Sequence, residues 1–300
     1  MGRLGDNPVP VLTERILGSK LVTGAKALSP IVLAGTLALA ACTDVRVESD
    51  ELADVNGWQR TDFSTGPFTL RGYERFSRPG GGDLAVYIES DGLSWIDRHT
   101  LSSDPTPLAP MVLSLAIADP SANRLYLGRP CQFLNAQALQ ACSPRYWSSA
   151  RFAPEVIAAI DTAVDQAKRR SDAHRVLLFG YSGGGAIAAL VAARRSDVAL
   201  LVTIAGTLDH IRWTTDDDVS PLTGSLNPAD EALRLQAVRQ VHFVGAKDDA
   251  VPPAVVESYI ARMIDRSRTT LVRLPGFGHE CCWKENWRTL LARYVYTDPF

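Results

Sequence analysis

The chain carries almost no net charge. Its 31 basic and 33 acidic side chains leave −2 with histidine neutral. That balance provides no basic field to hold a phosphate backbone, so nucleic acid is not an expected partner. Among five cysteines there is no Cys-x-x-Cys pair, which gives a structural zinc site little to build on. No repeat or low-complexity tract stands out. The N-terminal apolar run Ile31–Ala41 is eleven residues long, short of the ~17–25 that span a bilayer. What is present is apolar side chain: 46% of 300 residues, enough for one sizeable core. Strand and helix patterns alternate along it, which argues for a single α/β domain rather than two.

The first 41 residues read as an export signal. Arg15, Lys20 and Lys26 precede the run Ile31–Ala41, the layout of a basic n-region before an apolar h-region. The run ends Leu39-Ala40-Ala41-Cys42, which resembles the lipobox of bacterial lipoproteins. That resemblance implies a lipid on Cys42, membrane attachment through it, and a domain held in the bacterial cell envelope on the periplasmic side. Conventional cleavage after Ala38-Leu39-Ala40 is the alternative and would leave a soluble periplasmic protein. Loss of residues 1–41 removes Arg3, Arg15, Lys20 and Lys26 against Asp6 and Glu14 and shifts the charge from −2 to −4. Residues 42–64 are polar with few aromatics and read as a tether, leaving 65–300 as the folded domain.

The most informative stretch is Val176–Ala186, Val-Leu-Leu-Phe-Gly-Tyr-Ser-Gly-Gly-Gly-Ala. It predicts a buried strand, a Gly-x-Ser-x-Gly turn and a helix, with Ser182 at the tip. The glycines suit a turn where strand and helix backbones crowd each other. The motif alone arises by chance in roughly one chain of this length in ten. Its context is more specific. Gly245-Ala246-Lys247-Asp248-Asp249-Ala250-Val251-Pro252 follows the apolar run Val241–Val244, and Gly276-Phe277-Gly278-His279 follows Thr270–Leu274. A nucleophile, an acid and a base therefore each follow a predicted strand, in the order Ser182, Asp248, His279. Catalytic groups on a parallel sheet collect at the carboxyl ends of strands. Asp249 and Asp209 are the other candidate acids. His99, His174, His210 and His242 read as surface or core residues.

From about Phe68 to Tyr296 the chain resembles an α/β-hydrolase-fold serine hydrolase, on the strength of the Ser182 elbow, the G-x-x-D-x-x-V-P stretch and His279. It is similar, more closely, to a group of poorly characterised bacterial α/β-hydrolase lipoproteins. The shared phrases are Val86-Tyr87-Ile88-Glu89-Ser90-Asp91-Gly92, Gly128-Arg129-Pro130-Cys131, Ser225-Leu226-Asn227-Pro228 and His279-Glu280-Cys281-Cys282-Trp283. The resemblance implies a mostly parallel sheet with helices on both faces and a small cap segment over Asp209–Asp230. It implies acyl transfer through Ser182, with no metal or organic cofactor and a small acyl compound as substrate. A carboxylic ester is the expected substrate. A peptidase or acyltransferase on the same fold, and a non-catalytic binding lipoprotein, are the alternatives. The oxyanion donors it implies are the amides of Gly183 and Leu93, with Gly92 permitting the turn. Asp91 stands where this fold often has His, and a carboxylate there hinders an oxyanion unless it is paired or turned away.

Tyr181, Trp213, Trp283 and Trp287 are candidate cleft residues, although aromatics are more often core. Outside the signal, Cys131, Cys142, Cys281 and Cys282 allow three pairings. A Cys131–Cys142 bridge would close a small loop and contribute roughly 2–3 kcal/mol. The adjacent Cys281 and Cys282 would form a vicinal bridge or remain thiols. Upstream, Phe68–Phe76 and Leu84–Ile88 predict a β-hairpin entering the sheet.

Overall fold

A computed structural model describes residues 44–77 and 81–297; Cys42 and the export signal lie outside the described residues. Among the described residues the strands are β1 (Gln59–Ser64), β2 (Thr69–Phe76), β3 (Asp83–Ile88), β4 (Asn123–Leu127), β5 (Arg175–Tyr181), β6 (Val198–Ile204), β7 (Arg239–Gly245) and β8 (Thr269–Leu274). The helices are α1 (Val45–Val55), α2 (Met111–Ala118), α3 (Ala136–Gln140), α4 (Pro154–Ser171), α5 (Gly183–Ala192), α6 (His210–Asp216), α7 (Ala232–Leu235), α8 (Pro253–Ala261) and α9 (Trp283–Leu290). The strands form one sheet in the order β1-β2-β4-β3-β5-β6-β7-β8. Strands β3 to β8 run parallel, while β2 pairs antiparallel with both β1 and β4.

The sheet is covered on both faces, as near-continuous apolar strands require. Leu84–Ile88 and Val176–Tyr181 are buried throughout. One face packs under α4 and α5. Pro154 opens α4, and Val156, Ile157, Ile160, Ala163, Val164 and Ala167 form its buried stripe. Full burial of each branched side chain there is worth about 1.5–3 kcal/mol. The other face holds Tyr87, Phe179, Phe243 and the helices α2 and α9. Tyr87 stacks on Phe179 at 4.4 Å, and Trp287 of α9 meets both rings edge-on.

Two sequence expectations are corrected here. Residues 45–64 are not a tether. Asp44 caps α1 by accepting from Arg46 N–H, and β1 then forms the sheet edge. Contacts remote in sequence hold this segment: Tyr73 donates to Asp50 (2.7 Å), and Ala53 and Trp58 are buried. Its own pattern is too polar to announce such packing. The hairpin of 68–76 with 84–88 is also absent, because β4 lies between β2 and β3. The hairpin partner of β2 is β1, the strand hidden in the supposed tether.

The order around β3 fixes where a ligand has access. The chain moves from β3 outward to β4 and then back across to β5, so the sheet reverses direction of growth between β3 and β5. The loops leaving the carboxyl ends of these two strands diverge and open a crevice. The loop after β4 is strapped by the Cys131–Cys142 disulfide, whose Cα atoms are 5.9 Å apart.

His242 is a core residue of β7. Its Nε2–H donates to Gln240 Oε1 (3.2 Å), and its Nδ1 accepts from Thr203 Oγ1 (2.8 Å). Burial pushes its imidazole down to about 3. An unfolded chain protonates an ordinary histidine near pH 6.5, so protons favour unfolding. The stability this histidine contributes is present above about pH 6.5 and declines as the pH falls toward 3. Denaturant titrations from pH 7 to 4 are expected to show that decline, with a shallower slope in His242→Gln.

Candidate active site

Five loops leave the carboxyl ends of β3, β4, β5, β7 and β8 and bring together residues far apart in sequence. The centre is the turn after β5. Ser182 sits at φ 54° and ψ −123°, a region costly for any residue with a side chain. The turn is held by close backbone packing. A Cβ on Gly180 would lie 2.1 Å from Gly184 O, and one on Gly184 would lie 2.3 Å from Ile88 O. Only glycine fits at either position, so β5, α5 and the end of β3 meet around the serine.

The loop after β7 supplies Asp248, and the loop after β8 supplies His279. His279 Nδ1 lies 2.9 Å from Asp248 Oδ2, and its Nε2 lies 3.1 Å from Ser182 Oγ. A carboxylate has no proton to give, so Nδ1 carries the hydrogen and Nε2 accepts from the serine hydroxyl. Asp248 is held in place by two backbone amides, since its Oδ1 accepts from Val251 N–H (2.8 Å) and Ala250 N–H (3.1 Å). His279 is fixed through its main chain. Its carbonyl accepts from Trp283 Nε1–H (2.6 Å) and from the Tyr181 hydroxyl (3.0 Å). Burial pushes the Tyr181 phenol up, with the Glu280 and Asp248 charges adding to the effect, so the hydroxyl remains a donor.

The other candidate acids lie elsewhere. Asp249 is exposed. Asp209 caps α6 and is bonded to Ser258 (2.6 Å), Asn227 (3.1 Å) and Arg262 (3.2 Å). Gly183 is the first residue of α5, and Leu93 lies in the turn after β3. Of the cleft candidates, Trp213 and Gly92 line a cavity, but Trp283 and Trp287 do not. Both are fully buried on the sheet-facing side of α9, and Trp287 donates to Tyr87. Tyr181 is also buried and packs its ring against His279, 5.2 Å between centroids. Cys281 and Cys282 are joined to each other, so their sulfurs are not free to serve as thiolate ligands.

Sequence reading missed two arginines. The Asp91 carboxylate lies against Gly183, within 2.3 Å of where a Cβ would be. Arg129, from the loop after β4, donates to its Oδ1, and Arg151 Nη1 lies 3.3 Å from its Oδ2. Burial alone would raise this carboxyl; the Arg151 and Arg129 guanidiniums outweigh it and hold it below the ordinary carboxylate range. The charge beside the turn is therefore paired. Arg129 follows the end of β4 in the Gly128-Arg129-Pro130-Cys131 phrase, the one signal that pointed to it. Nothing local marked Arg151.

Solved structures share this architecture. Est1E from Butyrivibrio proteoclasticus superposes with a TM-score of 0.53 at 13% identity, over 77% of this chain and 97% of its own. The esterase Pf2001 from Pyrococcus furiosus gives 0.56 at 11% identity, over 78% and 90%. An alpha-beta serine hydrolase homologue from Coxiella burnetii gives 0.54 at 15% identity, over 79% and 97%. The chain has the α/β-hydrolase fold. No protein-family model matches it, and no curated protein matches it in sequence.

In this α/β-hydrolase fold the ion cluster at Asp91 is buried: side-chain exposure is 17% for Asp91, 4% for Arg129 and 6% for Arg151. Removing one partner from such a cluster costs about 3–5 kcal/mol. Asp91→Ala is expected to lower unfolding stability by about that amount in chemical denaturation, because it leaves two guanidiniums facing each other.

Proposed function

We propose that the protein is a serine hydrolase that cleaves carboxylic esters through an acyl-enzyme on Ser182. The observation that carries the reading is the continuous hydrogen-bonded chain from Asp248 through His279 to Ser182 at a strained strand–helix turn. The likeness to esterases and serine hydrolases supports it at the level of the fold.

In this reading His279 Nε2 takes the Ser182 proton as Oγ attacks the ester carbonyl carbon. The carbonyl π electrons move onto oxygen and form a tetrahedral oxyanion. Asp248 holds the imidazole tautomer and stabilises the imidazolium. Collapse of the intermediate expels the alkoxide, which takes the proton from Nε2–H and leaves as alcohol. Water then repeats the sequence on the acyl-enzyme, giving its proton to Nε2 and releasing the carboxylic acid and free Ser182. The Gly183 amide, at the positive end of α5, is the first oxyanion donor, and the Leu93 amide is the second. The cationic pair on Asp91 removes the feature that favoured a non-catalytic binding shell, an unpaired carboxylate beside the oxyanion.

A fluorophosphonate probe is expected to label the wild-type protein, and labelling is expected to vanish in Ser182→Ala and His279→Ala. Ester turnover in the same variants should fall by about 10⁴-fold or more. A folded wild-type protein that resists the probe would remove the reading.

The same proposal extends to location. Thr43 alone separates Cys42 from the cap of α1. A lipid on Cys42 would therefore hold the domain close against the membrane surface rather than at the end of a long tether. Incorporation of an alkynyl fatty acid in the native host, lost in Cys42→Ala, is the expected result.

A further inference from the structure

A cavity of about 620 Å³ lies between the turn after β3 and the segment that follows α6, within the size range of small-molecule sites. Gly92 forms one end, one residue from the Asp91 carboxylate that abuts the Ser182 turn. Trp213 forms another. Its Nε1–H donates to Ala250 O (2.8 Å), two residues beyond Asp248. The cavity therefore borders the turn after β3, and its Trp213 wall is bonded to the acid loop, at the end of the sheet that carries Ser182.

Its walls combine rings and aliphatic surface with cations. Trp95, Trp213, Pro221 and Leu222 are apolar, and Arg98 and Arg151 are charged. Trp95 is 42% exposed, so its ring is open to a ligand from the cavity side. Arg151 is only 5% exposed. Its Nε–H donates to Ser148 O (2.9 Å) and its Nη1 faces Asp91, but its Nη2 has no acceptor among the described residues. Its guanidinium carbon lies 5.8 Å from the Trp213 ring centroid.

The local charges leave this arginine incompletely matched. Asp91 is shared with Arg129. Glu89 is engaged by Ser90 N–H (2.7 Å), the Ser90 hydroxyl (2.9 Å) and the Tyr126 hydroxyl (2.8 Å). Asp97, the carboxylate in the cavity wall, is turned to its own loop, where it accepts from His99 and Thr100 N–H. Arg98 adds a second cation, with one bond to Asp217 O. A buried guanidinium with a free donor beside the Trp213 indole, in a cavity also lined by Trp95, suits a planar ring that carries an anionic oxygen.

We propose that this cavity is a substrate subsite of the Ser182 centre and selects a flat aromatic ring bearing a carboxylate, the ring held by Trp95 and Trp213 and the carboxylate by Arg151. The proposal rests on the ester-hydrolase reading for its substrate, but its binding test does not need turnover. The probes are 4-methylbenzoate, its neutral amide and hexanoate, titrated by tryptophan fluorescence and by protection of Ser182 from a fluorophosphonate. 4-Methylbenzoate is expected to bind at least tenfold tighter than either of the others and to slow labelling. Arg151→Gln should remove the preference for benzoate over the amide. It leaves Asp91 paired with Arg129, and thermal unfolding checks that it folds. Trp95→Ala, at a partly exposed position, should weaken both aromatic probes at least fivefold and leave hexanoate within twofold.

Equal affinity for benzoate and hexanoate would overturn the proposal. So would an Arg151→Gln protein that keeps its preference for benzoate over the amide, or benzoate binding that leaves labelling untouched. Selective benzoate binding to a protein whose Ser182 never reacts would sink the hydrolase reading and leave the ring-and-carboxylate site standing as a binding site.

Discussion

Backbone crowding between β5 and the first turn of α5 is the constraint on which the site depends. A Cβ on Gly180 would strike Gly184 and one on Gly184 would strike the end of β3, and within this crowding Ser182 adopts a positive-φ conformation. The strain is sustained because β5 and α5 are buried along nearly their whole length and cannot relax apart. The serine is thereby held out at the carboxyl end of a central strand, beside the crevice where the sheet reverses direction. Every other group of the site is arranged around that fixed point by loops from other strands of the same sheet.

Those loops are themselves tied down by polar contacts. Asp248 is locked by two amides of its own turn, and the His279 carbonyl is held by the Trp283 indole and the Tyr181 hydroxyl. A residue whose carboxylate or carbonyl is already held loses little further freedom when its side chain orients, which is how an imidazole is kept within reach of a hydroxyl. Asp91 follows the same logic with charge. A lone carboxylate against Gly183 would oppose negative charge developing nearby. Paired with Arg129 and Arg151, it becomes a rigid anchor that joins the turn after β3 to the loop after β4.

Parts of this were legible from local pattern. The apolar strand before Ser182, the stripe of α4 and the loops bearing Asp248 and His279 all follow from periodicity and turn residues over short windows. The edge of the sheet was not legible. Residues 45–64 are polar because one side faces water, and the contacts that order them, Tyr73 to Asp50 and the burial of Trp58, come from strands later in the chain. The pairing of β2 was hidden for the same reason, since its neighbours β1 and β4 are chosen by the whole sheet rather than by adjacency in sequence. Trp283 is a cleft candidate by residue type alone. The amphipathic face of α9 turns it inward instead.

The sequence by itself determined the elements and the chemical types at their ends: a serine on a glycine turn, an acid and a histidine after later strands. These are local properties, set by steric demand and hydrophobic period within a few residues. Only the tertiary structure decided which aspartate faces His279, that Asp91 is neutralised by two arginines, and which tryptophans border a cavity. Each of those outcomes joins residues tens to more than a hundred positions apart. Long-range pairing depends on strand order and on the charge left unmatched when the sheet closes, and neither is encoded in any short window of the chain.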